Sequence, residues 1–356
     1  VRVVVTGATG NVGTSLLRAL AGEESVSSVV GIARRVPEGG GAEFPKVEWV
    51  AADVAADDLD PAFAGADAVV HLAWVIQPSH REDVLEAVNV GGTGRVLAAA
   101  ARAGVRHVVY ASSVGAYSPG PKDRAVDESW PTDGIPSSFY ARHKAATERL
   151  LDRFEAEHPG VRVVRLRPGL IFKREAAAGI HRLFLGPLVP GPLLRPRWLK
   201  AVPRTPRLVF QAVHTTDVAE AYRLALVGDA RGPFNIAADP VLDGRRLAAT
   251  FEGWSVPVPQ AALRLGAGLS WRLHLQPTPP GWVDLAYAVP VLDTARARRE
   301  MGWRPRVSAT DALVELLHGF ADGAEGPTPA LARHGRVGFR RERREVAAAA
   351  GSYRSR

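Results

Sequence analysis

The sequence has no cysteine, a single methionine, few aromatic residues (7%) and no uninterrupted apolar run long enough to span a bilayer. Without cysteine there can be no disulfide framework, no thiolate nucleophile and no Cys-ligated zinc. Without a long apolar run, or a charged-then-apolar leader, the expectation is a cytoplasmic protein with no membrane partner. The net charge of +8 is not spread over the chain. Residues 331–356 hold eight arginines against Glu342 and Glu345, a net of +6, which leaves +2 for the other 330 residues. The basicity is therefore a terminal appendage, read as a solvated, disordered tail over 326–356, and nucleic acid is not expected as a partner.

The stretch VRVVVTGATGNVG at the start dominates what is present. Val3, Val4 and Val5 make a β-branched run suited to a strand buried on both faces of a parallel sheet. Gly7, Gly10 and Gly13 follow, and Leu16, Leu17 and Leu20 then fall at helical spacing. Strand, glycine bend and helix form an anion cradle, because glycine lets a phosphate approach the backbone and a helix N-terminus offers unpaired N–H groups.

Further strands are predicted at 28–33, 47–51, 68–73, 106–113 and 161–166, alternating with helices, which implies a doubly wound parallel sheet. Arg34 and Arg35 stand 21 and 22 residues beyond Gly13, with no acid at the end of that second strand. An arginine there accommodates the 2′-phosphate of NADP, whereas an acid favours NAD. NADP is the preferred cofactor and NAD the alternative; the arginines could also simply solvate a loop. Asp53, followed by Val54, either accepts from an adenine amino group or caps the next turn. His71 reads as a packed histidine. Gly91, Gly92 and Gly94, in a helix over 82–103 that also carries Asn89, call for close packing to offset about 1 kcal/mol each. Tyr140 and Lys144 lie four apart on a helix over 139–157 introduced by Ser137 and Ser138, so both side chains share a face.

Together TGATGNVG (6–13), HLA (71–73), ASSVGAY (111–117), YARHK (140–144), RPG (167–169), VHTTDVAEA (213–221) and DTARARREMGWRP (293–305) resemble the extended short-chain dehydrogenase/reductases of the NAD-dependent epimerase/dehydratase type. The resemblance runs from about residue 1 to 320. It implies a Rossmann domain over 1–170, with 208–228 returning to it, and a smaller mixed substrate-binding region over 171–325. It also implies hydride transfer at a secondary alcohol or ketone carbon, as an epimerase or a carbonyl reductase. Tyr140 would exchange the proton, Lys144 would favour the phenolate and bind the nicotinamide ribose, and Ser113 would hold the substrate oxygen, with Ser112 as the alternative. The implied cofactor set is Gly7, Thr9, Gly10, Asn11, Val12, Gly13, Arg34, Arg35, Asp53, Val54, Leu72, Ala73, Ala111, Ser112, Tyr140, Lys144, Pro168 and Gly169. A homodimer is implied through helices near 84–103 and 139–157.

The chain departs from the sugar-nucleotide members in its Leu170-Ile171-Phe172-Lys173 turn and in having Val114 and Gly115 where dehydratases carry an acidic pair. Arg174, Arg182, Arg195, Arg197 and Arg207 remain as candidates to meet a diphosphate. A non-catalytic redox sensor that binds NAD(P) as a ligand is the competing reading.

Overall fold

The computed structural model describes residues 1–38, 41, 43–76, 81–186, 189–273 and 275–332. Seven parallel strands form the central sheet: β1 (Arg2–Thr6), β2 (Ser28–Ala33), β3 (Val47–Ala51), β4 (Ala68–His71), β5 (His107–Ala111), β6 (Arg162–Pro168) and β7 (Gly232–Ile236). Their order is β7-β6-β5-β4-β1-β2-β3, so the winding direction reverses between β1 and β4. That reversal opens a crevice at the carboxyl ends of the two strands, the usual ligand position in such sheets.

β1 shows why its valines are needed. Val3 and Val5 face one core cluster with Leu16, Leu17 and Leu20 of helix α1 (Asn11–Ala21), while Val4 faces the other with Val30, Ile32 and Val69. All three valines are fully buried. The second cluster is closed by Val96 and Leu97 of α2 (Gly92–Arg102) and by Leu151 and Phe154 of α3 (Phe139–Glu157). On the first face, α4 (Thr215–Val227) lies against α1 and contributes Val218, Tyr222 and Leu226. The chain beyond residue 208 thus returns to the sheet.

β7 falls in a stretch, 231–292, in which the sequence shows no clear period. Its residues, GPFNI, begin with Gly232 at φ 76° and Pro233, and proline in a sheet is confined to edges and strand starts. The same stretch forms three helices, a short one over Gly244–Thr250 and the longer α5 (Gln260–Arg272) and α6 (Gly281–Ala288). Two-stranded ribbons make up much of the remainder: Ala201–Arg204 pairs with Trp254–Pro257, and Leu170–Phe172 with Ala212–His214. A separate apolar cluster forms around α7 (Ala309–Asp322), with Leu316, Leu317 and Phe320 against Val202 and Phe251.

Of the tail, residues 326–332 are described. Thr328 and Leu331 are buried, and the Thr328 hydroxyl donates to the Thr9 carbonyl at 2.7 Å. The arginine-rich remainder, 333–356, lies outside the described residues.

Candidate active site

The glycine bend takes its shape from two close approaches. Gly7 has φ +71°, and a Cβ there would stand 2.7 Å from the Ala73 amide nitrogen. A Cβ on Gly13 would stand 2.5 Å from the carbonyl oxygens of both Gly7 and Ala8. Larger residues would push the bend away from β4 or lift α1 off the loop. Gly10 is the N-cap of α1, so the first-turn amides, including those of Asn11 and Val12, face the crevice end of the sheet. The Asn11 side chain is engaged elsewhere: it donates to the Ile171 carbonyl (3.4 Å) and accepts from the Thr215 hydroxyl (3.2 Å).

Arg34 is exposed and Arg35 half-buried where β2 leaves the sheet. The Asp53 carboxylate accepts from the Ala55 amide at 2.9 Å, which is the capping role, and Val54 is buried and packs on Gly92. Of the three helix glycines, only Gly92 makes a close approach; Gly91 and Gly94 have open space where a Cβ would go. The turn Ala87–Gly91 is instead a π-helical bulge inside the helical stretch, a feature often found near functional sites. It turns Asn89 inward to bracket Val75, accepting from its amide (2.8 Å) and donating to its carbonyl (3.0 Å). Asn89 thereby fixes the loop that carries Leu72, Ala73 and Trp74 past the glycine bend. His71 is packed: it contacts the Thr6 and Thr93 hydroxyls at 2.6 and 3.0 Å, and burial holds it neutral with its pKa near 3.

Ser113 and Tyr140 meet beyond the end of β5. Ser113 caps a 3-10 turn over Val114–Ala116 through the Gly115 amide, and the Tyr140 ring lies across that turn. A Cβ on Gly115 would fall 2.8 Å from Tyr140 Cε1 and 3.4 Å from Ser113 Oγ. Burial pushes the Tyr140 phenol up to about 12, against a hydrogen bond with Ser113 that pulls it down. Ser138 caps the helix through the Ala141 amide. The alternative, Ser112, is committed elsewhere, donating to the buried carboxylate of Glu148 at 2.5 Å.

Lys144 is buried, donates to the Ala111 carbonyl at 2.7 Å, and rests 3.4 Å from the centroid of the Trp74 indole. Its ammonium is 5.8 Å from the centroid of the Tyr140 ring. Burial pulls its pKa well below the usual lysine value, and Glu148 opposes that. On the phenol itself, burial and the Ser113 hydrogen bond act in opposite senses.

Two parts of the site are not apparent in the sequence. The first lies under α3. Glu148, one turn beyond Lys144, accepts from Arg167 Nε and Nη2 (both 2.9 Å), from Arg165 Nη1 (3.0 Å) and from Ser112. Arg167 continues to the Tyr117 hydroxyl (3.0 Å), which donates to Asn235 (2.7 Å). The only advance signal is the i, i+4, i+8 spacing of Tyr140, Lys144 and Glu148. The second is an aromatic wall. Trp282 lies 5.1 Å from the Tyr140 ring, Trp74 6.0 Å from it, and Phe184 5.0 Å from Trp282. The indole N–H groups of Trp74 and Trp282 are buried without a hydrogen-bond partner among the described residues.

Pro168 ends β6, and Gly169 follows with its amide on the Ile236 carbonyl (3.0 Å). The five candidate arginines do not converge. Arg174 and Arg195 both bind Asp322, Arg207 donates to the Tyr287 and Gly120 carbonyls, Arg182 to the Ala332 carbonyl, and Arg197 lies over Trp198.

These residues fit a dinucleotide: the bend at Gly7 and Gly13 leaves no room for side chains, and α1 presents its N-terminus to the crevice. Residues 3–184 match the model of the NAD dependent epimerase/dehydratase family. An uncharacterized protein of Mycobacterium tuberculosis is 28% identical over 319 residues, covering 88% of this chain; the chain spans 29% of that relative's length. The 4-hydroxy-2-methyl-3-oxo-4-farnesyl-3,4-dihydroquinoline-1-oxide ketoreductase of Stigmatella aurantiaca is 27% identical over 349 residues, covering 92% of this chain and 99% of the relative. The fold matches that of Thermus thermophilus UDP-glucose 4-epimerase in complex with NAD, with TM-score 0.65, 23% identity, and coverage of 90% of this chain and 99% of that one.

Proposed function

The chain belongs to the NAD dependent epimerase/dehydratase family, and on that premise we propose that it is an NAD(P)-dependent oxidoreductase acting on an apolar ketone or secondary alcohol. The observation that carries this reading is the seating of Tyr140 against Ser113 and Gly115 inside a wall of Trp74, Trp282 and Phe184. Bound nicotinamide supplies or accepts the hydride. Ser113 holds the substrate oxygen, and Tyr140 Oη exchanges the proton with it. Lys144, fastened to the Ala111 carbonyl, orients the ribose side of the cofactor. Burial keeps the phenol protonated at neutral pH, the form that donates to a developing alkoxide when a ketone is reduced.

The apolar wall and the dispersed arginines both weigh against a sugar nucleotide, whose diphosphate needs converging cations. The ketoreductase relative, matched along nearly its whole length, carries a farnesylated ring substrate in its name.

The test is turnover of NADPH and NADH with a panel of bulky apolar ketones and sugar nucleotides, in the wild type and in Tyr140→Phe. The expected result is activity on apolar ketones that falls by about 10²–10⁴-fold in the variant. Unchanged turnover in Tyr140→Phe removes the mechanism, and cofactor binding without turnover on any substrate favours the redox-sensor reading. Mass spectrometry of the protein as purified separates an epimerase-like cycle, in which the cofactor stays bound, from net reduction.

A further inference from the structure

Charge and exposed apolar area are distributed unevenly over the C-terminal region. Residues 176–216 carry six Arg or Lys and no Asp or Glu, and residues 253–283 carry two Arg and again no acid. Eight of the eleven large hydrophobic side chains exposed among the described residues lie in these two stretches. The elements are joined: Trp254 opens the strand that pairs with Ala201–Arg204, and its amide donates to the Lys200 carbonyl. That strand runs directly into α5.

α5 is apolar inward, where Leu263, Ala267 and Trp271 are half-buried, and also carries leucines outward. Leu265, Leu269 and Leu273, at i, i+4 and i+8, are 73%, 57% and 59% exposed, and no residue of the helix is buried. Trp198 and Trp254 are each 61% exposed. Single exposed leucines need no explanation, but a ridge of them does. Some of the cations are neutralised from outside the two stretches: Arg195 by Asp322, Arg264 by Asp284, and Lys200 faces Glu252. Arg197 and Arg272 are exposed without an acidic partner among the described residues, Arg197 lying over the Trp198 ring.

We propose that this face docks on the surface of an anionic lipid bilayer, with the outward leucines of α5 and the exposed indoles entering the headgroup boundary and Arg197 and Arg272 on the lipid phosphates. Exposed Leu and Trp beside Arg, without acids, is the composition of a segment that lies in a membrane interface. No helix among the described residues is long and apolar enough to cross a membrane, so the contact is one of lying on the bilayer. It runs against the sequence expectation of no membrane partner and does not depend on the reaction proposed above.

The test is flotation of the full chain with vesicles of phosphatidylcholine alone and of phosphatidylcholine with phosphatidylglycerol, at low and at 0.5 M salt. The expected result is co-flotation with the anionic vesicles that weakens with salt. Leu265→Ser/Leu269→Ser/Leu273→Ser reduces the bound fraction at least tenfold. Arg197→Glu/Arg272→Glu, at exposed positions whose change leaves the core intact, abolishes the preference for anionic vesicles. Leu170→Ser/Val227→Ser, exposed outside this face, binds like wild type. Tyr140→Phe also binds like wild type, which separates this result from the fate of the catalytic reading. The proposal is overturned if the wild type floats with neither vesicle, if both surface variants bind unchanged, or if the leucine variant merely converts a dimer to a monomer at equal flotation.

Discussion

Gly115 and Tyr140 are in direct contact: a methyl group on Gly115 would lie 2.8 Å from Tyr140 Cε1 and 3.1 Å from Cδ1. The glycine holds the phenol flat against the turn that carries Ser113, so ring and hydroxyl are placed by one backbone feature.

Gly115→Ala should therefore displace the ring by a fraction of an ångström to about 1 Å without unfolding the protein. Misplacement on that scale costs on the order of 10²-fold in rate. Steady-state kinetics should show kcat falling by that order while the thermal midpoint moves only a few degrees. A variant with wild-type kcat would mean that the ring position does not matter to the reaction.

Glu148 governs acid stability. Burial pushes its carboxyl up, but Arg167 and Arg165 outweigh that and hold it at about 2, against about 4.3 in an unfolded chain. A carboxyl depressed in the folded state contributes stability above its unfolded pKa and loses it as the pH falls through the folded value. The contribution, on the order of 3 kcal/mol, is present at neutral pH and drains between about pH 4.5 and 2. Glu148→Gln leaves Arg165 and Arg167 without their buried partner and should cost about 3–5 kcal/mol at pH 7. Urea unfolding against pH should show the gap between wild type and variant closing through that acid window; a constant gap would assign the loss to packing.

Arg34 and Arg35 should set cofactor choice. Arg34→Ala/Arg35→Ala is expected to raise the KM for NADPH at least tenfold while leaving that for NADH within about twofold, because only the former carries a 2′-phosphate. An equal change for both cofactors would place the arginines away from the ribose.

Trp74 covers Lys144, whose ammonium lies 3.4 Å from the indole centroid. Trp74→Ala should expose the ammonium to water and change the dissociation constant for cofactor several-fold, read by quenching of the remaining tryptophans. An unchanged constant would show that the indole leaves Lys144 at no free-energy difference.

Much of this was legible in the residues. The valine strand, the glycines at 7 and 13 and the four-residue spacing of Tyr140 and Lys144 are local features whose period or steric demand appears in the sequence itself. β7 was not legible, since Gly232 and Pro233 mask a strand that exists by pairing with β6. Nor was the tie from Thr328 to Thr9, which joins residues 319 apart.

The sequence by itself determined the alternation of strands and helices, the glycine bend and the shared helical face of Tyr140 and Lys144, because period and steric demand are local. Only the tertiary structure tied Ser112 to Glu148 while seating Ser113 beside Tyr140, and only it gathered Trp74, Trp282 and Phe184 around Tyr140. Those choices depend on which distant segments are brought within a few ångströms, and no short-range pattern encodes that.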